Sequence, residues 1–281
     1  MTIGNIAILM ATYNGEKYLA EQIDSLMAQT MQDWHLYIHD DGSVDSTVSM
    51  IKEYADKYPD KITQFDYPAQ GGACMNFLSM LERVEAPYYM FCDQDDVWMR
   101  NKIELEYAEM KRLEVVHSNK PVIINTDLKV VDADLRTVHP SFWQYRGIYP
   151  DFVKEFKDFA ATNVATGCTM LFNRQAKVVM RRPCKHTMMH DAWITMSVVA
   201  SGGTLQNMKT PTVLYRQHGD NTIGAFDAGR LTIGYRLKHL RKFVGIFCRQ
   251  FRQMNVIAHI TLVAFISSKI DYKRYIRSLE R

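Results

Sequence analysis

The sequence lacks paired cysteines. Five cysteines are scattered over 281 residues, and none of them forms a CxxC pair. An odd, scattered set of this kind speaks against a disulfide framework and against a cysteine zinc site. It fits a protein that works in a reducing compartment.

Long hydrophobic runs and a leader segment are also lacking. The first residues show neither a basic leader nor a cleavage site, so we expect no signal peptide. The longest nearly apolar run, 256–268, contains His259 and is shorter than the ~20 residues that a membrane-spanning helix needs. No internal repeat or low-complexity linker occurs, and the hydrophobic fraction of 47% allows an ordinary globular core.

Basic residues are outnumbered in most of the chain and crowded at its end. Residues 229–281 hold 12 Lys and Arg against 2 Asp and Glu, whereas the 228 residues before them hold 22 basic and 29 acidic side chains. This asymmetry predicts a mildly acidic body, 1–224, and a basic tail, 225–281, that meets an anionic partner.

What the chain does have is a regular alternation of apolar strands and amphipathic helices. The first half predicts a β-α-β-α order, which is typical of a parallel, doubly wound sheet. Its predicted strands are 6–11, 34–39, 61–67 and 88–92, and its predicted helices are 16–29, 45–58, 73–84 and 98–115. Beyond them the pattern loosens, with predicted strands at 121–131, 166–172 and 212–215, an aromatic-rich loop at 138–149 and a helix at 190–200.

The tail has one amphipathic pattern. Apolar residues recur there at alternating spacings of four and three, with arginines and lysines between them. An apolar face beside basic residues suits the surface of an anionic bilayer. The same spacing suits a helix that packs on the body or pairs in a coiled coil. The stripe consists of Ile233, Leu237, Leu240, Val244, Phe247, Phe251 and Met254.

Carboxylates cluster directly after the fourth predicted strand. Asp93, Asp95 and Asp96 follow a five-residue apolar run and precede Trp98. The carboxyl ends of parallel strands meet at one edge of a sheet, so we expect the loops 12–15, 40–43 and 93–96 to converge there. Acids gathered in this way suit a hard divalent cation with a bound phosphate, and the alternative is a solvated turn with a capping aspartate.

The order of these motifs resembles one enzyme family. ATYNGEKYLAEQIDSLMAQT, DDGSVDST and CDQDDVW are similar to segments of the family 2 nucleotide-sugar glycosyltransferases, which have the GT-A fold. DQDDVW, GCTM, HDAW and YRQHGDN together look most like bacterial polysaccharide rhamnosyltransferases. The resemblance covers roughly residues 3–224. It implies an α/β, Rossmann-like, mainly parallel sheet flanked by helices, with a C-terminal helical appendage.

The resemblance implies a donor site at the converging loops. Asp41 would read the nucleobase, because a carboxylate can accept the imino N–H of uracil or thymine, while Asp40 supports the loop or caps a turn. Gly72 and Asn76 lie where the family's loop passes the ribose or diphosphate, although a Gly-Gly pair is also an ordinary tight turn. The nucleotide-sugar contacts implied in this way are Thr12, Tyr13, Asn14, Asp41, Gly72, Asn76, Asp93 and Arg216.

A metal site follows from the DxD motif of the family. Asp93-Gln94-Asp95 matches that motif, with Asp95 as the first ligand for Mg²⁺ or Mn²⁺ and Asp93 at the metal or the ribose. His218 is the third implied ligand, although a lone histidine is more often structural. Three roles stay open for Asp96: metal ligand, acceptor contact and helix cap.

The acceptor side is implied by two later motifs. Asp191 matches the position of the family's catalytic base and can take a proton from a sugar hydroxyl. Its place at the start of a helix also suits plain capping. The residues implied for the acceptor and sugar pocket are Asp96, Trp98, Gly167, Cys168 and His190.

These expectations combine into one function. We expect an inverting transferase that moves L-rhamnose from dTDP-L-rhamnose, or a sugar from a UDP-sugar, to a lipid-linked saccharide. Such a protein would be cytoplasmic and peripheral at the inner face of the cell membrane, bound there through 229–281. It would bind no nucleic acid, and a homodimer is one arrangement for the tail.

Two rivals remain, one an enzyme of the same fold and one from another class. Nucleotidyl transfer uses carboxylate-held Mg²⁺ on the same fold, but it needs a basic, glycine-rich phosphate loop, which ATYNGEK does not provide. A non-catalytic nucleotide-sugar binder or membrane scaffold would keep the binding residues without needing Asp191.

Overall fold

The computed structural model describes residues 4–218 and 240–279. Over this part of the chain the strands belong to one mixed sheet in the order β3-β2-β1-β4-β8-β6-β9-β5, with β7 on the side of β6. The strands are β1 (Ile6–Thr12), β2 (Trp34–Asp40), β3 (Ile62–Phe65), β4 (Tyr88–Asp93), β5 (Val97–Trp98), β6 (Val122–Val131), β7 (Thr137–His139), β8 (Met170–Asn173) and β9 (Thr204–Arg216).

Helices cover both faces of the sheet. In the described residues they are α1 (Leu19–Met27), α2 (Thr47–Lys57), α3 (Ala73–Arg83), α4 (Lys102–Val116), α5 (Phe142–Arg146), α6 (Arg174–Val179), α7 (His190–Ala200), α8 (Leu240–Ile257) and α9 (Leu262–Leu279). Short 3₁₀ turns occur at Pro150–Phe152, Phe156–Ala160 and Gly167–Thr169.

The parallel part of the sheet brings three strand ends together, as the sequence predicts. β1 runs parallel to β2 on one side, where Thr12 lies opposite Asp40, and parallel to β4 on the other, where Ala11 lies opposite Asp93. Every residue of β1 is buried, because helices cover both faces of a parallel sheet. The predicted α/β fold with a mainly parallel sheet and C-terminal helices is confirmed.

Several predicted boundaries are wrong, each for a tertiary reason. The predicted helix 98–115 begins only at Lys102, because Val97 and Trp98 pair with β9 as a short strand. The loop predicted at 138–149 contains the end of β7 and the helix α5, and the segment 166–172 begins as a 3₁₀ turn before β8. The late strand predicted at 212–215 is the end of a strand of 13 residues, β9, whose first part is polar and half-buried.

The C-terminal helices pack on the body through an apolar cluster. Met254 of α8 and Phe265 of α9 are buried together with Phe159 and Trp193. Phe247 and Phe251, which belong to the predicted tail stripe, pack against the same cluster. Phe247, Phe251 and Met254 therefore follow the packed alternative, whereas Val244 of the same stripe is 51% exposed. Ile233, Leu237 and the boundary predicted between 224 and 225 lie outside the described residues.

No single helix among the described residues combines the length and apolar character needed to cross a membrane. The segments Val244–Ile257 and Leu262–Leu279 meet the criteria of length and composition only when taken together, and they are bent by 116° relative to each other.

Candidate active site

The first loop of the site is built around Asp40 at the end of β2. Its carboxylate accepts the Thr12 hydroxyl at 2.9 Å and the backbone N–H groups of Gly42 and Ser43 at 3.0 and 2.7 Å. Asp40 thus ties the end of β1 to the turn after β2. This is the supporting role expected for Asp40.

Asp41 points away from that turn towards a glycine loop. One carboxylate oxygen accepts the N–H groups of Gln70 and Gly71, and the other accepts the Gly72 N–H at 2.5 Å. The backbone there needs glycine, because Gly71 and Gly72 have φ angles of 79° and 129°. The structure therefore brings Asp41 and Gly72 together. Both oxygens of Asp41 already accept backbone N–H groups of this loop. Recognition of a nucleobase by Asp41 therefore stays a prediction.

Tyr13 and Asn14 lie exposed on the neighbouring loop. The Gln94 side chain holds this loop by accepting the Tyr13 N–H and donating to the Tyr13 carbonyl, both at 2.9 Å. The Asn14 side chain accepts the Val44 N–H at 2.9 Å, which joins the first two loops. The Tyr13 ring remains open to solvent beside the site, as a surface for a flat ring to stack on.

Asn76 differs from its predicted position at the donor, and the donor contact stays a prediction. Asn76 is fully buried in α3, where its Nδ2 donates to the His39 carbonyl at 3.0 Å. Its Oδ1 lies 2.6 Å from His39 Nδ1. The side chain thus links α3 to the end of β2, and none of its atoms is exposed to a ligand.

The acid cluster occupies the end of β4. Asp93, Asp96 and Cys168 offer ligand atoms that all lie within 4.8 Å of one another. Burial, followed by the charges of Asp95 and Asp191, raises the pKa of Asp93 to about 7. Burial, followed by Asp95 and Asp93, raises the pKa of Asp96 well above its usual range. Crowded acids of this kind either hold protons or attract a cation.

One oxygen of the cluster has no partner among the described residues. Asp96 is fully buried, and its Oδ1 accepts the Arg216 N–H at 3.1 Å. Its Oδ2 is buried without a hydrogen bond, an arrangement that costs about 1–3 kcal/mol. An unpaired carboxylate oxygen in an acid-rich pocket fits a divalent cation, so the residues present suit the expected metal.

The predicted metal ligands form two groups. Asp95 does not belong to the trio of Asp93, Asp96 and Cys168, and its Oδ2 instead lies 2.9 Å from His218 Nε2. The His218 ring lies 4.8 Å from the Tyr18 ring, which fixes its position. The structure thus places His218 beside the DxD motif, 123 residues away along the chain. Coordination by Asp95, Asp93 and His218 stays a prediction.

Arg216 differs from its predicted role as a donor contact. Its side chain is almost wholly buried, with Nε donating to the Asp95 carbonyl at 2.9 Å and Nη1 to the Ala133 carbonyl at 2.6 Å. Nη2 forms an ion pair with Glu21 of α1. The guanidinium therefore stabilises the loop 93–96 through the backbone carbonyl of Asp95.

Asp191 lies in the first turn of α7, near the acid cluster. Its carboxylate is buried and accepts backbone N–H groups of Gly167 and Ala192, the latter at 2.5 Å. Burial raises the pKa of Asp191 to about 6. The charge of Asp191 in turn raises the pKa of Asp93, so the two carboxylates lie near each other. Gly167 and Cys168, which were predicted for the acceptor pocket, lie between them.

His190 was predicted for the acceptor pocket, but its ring is in the core. It lies 4.3 Å from the Phe77 ring and 4.7 Å from the Phe91 ring. Neither ring nitrogen has a hydrogen-bond partner among the described residues, and burial lowers the pKa of His190 to about 3. A Cβ at Gly167 would come within 2.5 Å of His190 Nε2, so the glycine makes room for this ring.

Trp98 was also predicted to meet the acceptor, and it too is buried. Its ring lies 4.7 Å from the ammonium group of Lys102. Lys102 forms a fully buried ion pair with Glu106 at 2.5 Å, and the Thr212 hydroxyl donates to Glu106 at 3.0 Å. Burial raises the pKa of Glu106.

Sequence reasoning missed this buried pair and two further residues of the site, Gln94 and Glu21. The Lys-Glu spacing of four is typical of a solvated helix surface, so no local signal identified the pair. Gln94 was read only as the variable middle of DxD. Glu21 had no signal at all, because its partner Arg216 lies 195 residues away.

Comparison with known proteins agrees with the geometry. The family model described as "Glycosyl transferase family 2" matches residues 7–178. The dTDP-rhamnosyl transferase RfbG of Shigella flexneri is 27% identical over 246 residues, which are 83% of this chain and 77% of RfbG.

Two further proteins extend this comparison. WfgD of Escherichia coli, named as a UDP-Glc:alpha-D-GlcNAc-diphosphoundecaprenol beta-1,3-glucosyltransferase, is 27% identical over 125 residues, or 44% of this chain and 48% of WfgD. The mannosyltransferase PcManGT of Pyrobaculum calidifontis, solved with GDP-Man and Mn²⁺, has a TM-score of 0.61 at 14% identity and covers 98% of this chain and 70% of its own. This structural likeness shows the fold alone.

Proposed function

The chain belongs to glycosyltransferase family 2, and we propose that it is an inverting enzyme that transfers L-rhamnose from dTDP-L-rhamnose to a saccharide acceptor. The observation that carries the proposal is the position of Asp191. It is a buried carboxylate with a pKa raised to about 6, close enough to Asp93 for its charge to raise the pKa of that residue. A base with a pKa near the working pH is effective in proton transfer.

The proposed reaction is a single displacement. Asp191 accepts the proton of an acceptor hydroxyl as its oxygen attacks the anomeric carbon of the donor. The bond from that carbon to the diphosphate breaks on the opposite face, so the configuration inverts. The Gly167 and Ala192 amides keep the Asp191 carboxylate oriented, which leaves the remaining lone pairs for the hydroxyl.

A divalent cation, Mg²⁺ or Mn²⁺, fits the acids at the end of β4. Asp93 and Asp95 would hold it. The unpaired Oδ2 of Asp96 lies in the group with Asp93, and His218 lies beside Asp95 in the neighbouring group. When bound, such a cation neutralises the charge that develops on a departing diphosphate. Arg216 supports the same loop from behind through the Asp95 carbonyl.

The choice of rhamnose rests on the likeness to RfbG, whose name states a dTDP-rhamnosyl donor. A UDP-sugar is the alternative donor, and the name of WfgD supports it over a shorter segment. Both nucleotides present the same imino group to Asp41, so the loop residues described above serve either base.

The proposed acceptor is a lipid-linked saccharide at the inner face of the cell membrane. The name of WfgD states a diphosphoundecaprenol-linked acceptor, which supports a lipid carrier for this chain as well. The basic tail gives the protein a means of staying at such a surface.

Slow donor hydrolysis tests the proposal without knowledge of the acceptor. Purified protein is incubated with dTDP-L-rhamnose, UDP-glucose, UDP-galactose and UDP-N-acetylglucosamine, with and without Mn²⁺. The released nucleoside diphosphate, dTDP or UDP, is measured. We expect cation-dependent release from dTDP-L-rhamnose. Release from a UDP-sugar alone would move the proposal to that donor. The proposal would be contradicted if the protein neither hydrolysed nor bound any of these donors.

A further inference from the structure

The last helix has two unlike faces. Phe265 and Ser268 of α9 are buried, and the Tyr272 hydroxyl donates to the Gly147 carbonyl at 3.0 Å on the same side. This face holds α9 to the body. The opposite face has no such contacts among the described residues and remains exposed.

The exposed face of α9 carries an apolar stripe followed by cations. Leu262, Val263, Ile266 and Ile270 are 49%, 78%, 41% and 45% exposed, and their spacing places them on one side of the helix. The same side continues with exposed Lys273, Arg274 and Arg277. Four exposed aliphatic side chains in one row are unusual for a free protein surface.

The exposed face of α8 repeats this order in the opposite direction. Val256, the second-last residue of α8, is 42% exposed. Arg252 and Arg249 lie one and two turns earlier on the same side and are exposed. The turn 258–261 that joins the two helices exposes His259 and Thr261. Five exposed apolar residues therefore flank this turn, with cations farther along each helix. Two others, Val244 and Leu279, lie beyond Arg249 and Arg277.

This surface is not the face that the heptad pattern indicates. Phe247, Phe251 and Met254 carry that pattern, but they pack against the body and are not available to a partner. The exposed apolar set consists of other residues and spans both helices. We name it the corner surface: Val256, Leu262, Val263, Ile266 and Ile270.

Charge indicates which partner covers the corner surface. Residues 240–279 contain eight Lys and Arg against one acidic residue, Asp271, which already pairs with Arg274 at 3.4 Å. A second copy meeting this face with its own would bring two strongly basic surfaces together. An anionic bilayer offers both an apolar layer for the corner surface and negative headgroups for the cations.

We propose that the corner surface inserts into the headgroup and acyl boundary of an anionic bilayer. From Val263 to Lys273 the helix rises about 15 Å, and from Val256 back to Arg249 about 10 Å. Interfacial helices bury their apolar face about 5–10 Å into this boundary, so the cations of both helices reach the headgroup layer. The inference rests on the proposed function only for the location of the acceptor.

Vesicle flotation of the full chain tests the inference. The probes are vesicles of phosphatidylcholine alone and of phosphatidylcholine mixed with phosphatidylglycerol, without any acceptor lipid. We expect binding to the anionic vesicles. The double variant Val263→Asp/Ile266→Asp should weaken the partition coefficient by about tenfold or more, because it places charge at the insertion site. Val178→Asp, at a similarly exposed valine of α6, should bind as the native protein does.

The cations and the oligomeric state complete the test. Lys273→Glu/Arg274→Glu should lower binding to anionic vesicles by roughly tenfold, because each basic residue contributes to headgroup attraction. Donor hydrolysis by all variants should stay unchanged, which separates failure of this surface from failure of the proposed reaction. Unchanged flotation of Val263→Asp/Ile266→Asp would overturn the inference. So would conversion of a dimer to a monomer with vesicle binding intact, since the surface would then join two copies.

Discussion

At the scale of single residues, Asp191 sets the expected pH dependence. Burial raises its pKa from the usual value for aspartate to about 6. The base must be ionised to act, so activity is lost as the pH falls through the raised pKa. We expect kcat/KM, measured at saturating Mn²⁺, to rise about tenfold per pH unit below pH ~6 and to level off above it. A rate that stays constant down to pH ~4.5 would exclude Asp191 as the base.

Arg216 separates two roles that the sequence alone does not distinguish. Its guanidinium binds the Asp95 and Ala133 carbonyls and Glu21, and lysine cannot reach all three. Arg216→Lys is therefore expected to raise the Mn²⁺ concentration needed for half-maximal activity by about tenfold, with a smaller change in the KM of the donor. Glu21→Gln should act in the same direction, more weakly. A raised donor KM with unchanged Mn²⁺ dependence would restore the predicted donor contact.

The buried acids make the cation-free protein less stable as pH rises. The folded-state pKa of Asp96 lies well above its unfolded value, so the stability linked to its protonated form is present in acid and is lost as pH rises through the raised pKa. Asp96→Asn should therefore raise the Tm at pH ~8 by a few degrees without cation, while activity falls. The control is Asp56→Asn, at an exposed site on α2, with no change expected. An unchanged or lower Tm for Asp96→Asn would contradict the picture of strained acids.

The role of a site residue could be predicted from the sequence when its contacts are local, and not when they come from distant parts of the chain. Asp40 and the position of Gly72 followed from turn chemistry and the family pattern. Asn76, His190 and Trp98 were predicted to contact ligands, but all three are buried in the structure. Each contacts a residue of another element or of a neighbouring turn: His39, Phe91 and Lys102, respectively. A motif gives the residue type at an edge, while the direction of the side chain depends on the neighbouring elements.

At the scale of elements, the strands with continuous apolar runs were predictable. β1, β2 and β4 are buried on both faces, so their composition alone identifies them. β5 was not predictable, because two residues form a strand only by pairing with β9. The length of β9 was missed because its first half is mostly polar and Pro211 lies just past its middle.

The docking of the two C-terminal helices gives an element-scale prediction. Phe265 is fully buried, with its ring 4.8 Å from Phe247 and 5.2 Å from Phe251. Phe265→Ala should lower the free energy of unfolding by about 3–5 kcal/mol in urea titrations. The adjacent Ile266→Ala, on the exposed face, should cost less than about 1 kcal/mol. Equal effects of the two substitutions would mean that the helices do not pack on the body in solution.

At the scale of the whole molecule, the sequence predicted the charge asymmetry, the family and the edge of the sheet that carries the site. The heptad spacing of the tail fits packing on the body and binding to a bilayer equally well, so the sequence left its orientation open. In the structure the stripe residues from Phe247 to Met254 pack on the body, and a different set of apolar residues is exposed on α9. The two C-terminal helices thus have one face that packs on the body and another that is exposed.

The central claim is that Asp191 performs the proton transfer in a site that binds its donor without it. The most direct measurement compares Asp191→Asn with the native protein, using donor turnover and donor binding by calorimetry in the same buffer with Mn²⁺. Removal of a general base lowers turnover by about 10²–10⁴-fold, so we predict that loss with a donor Kd changed by less than about threefold. Turnover retained within about tenfold would contradict the account, because the carboxylate would then not be the base.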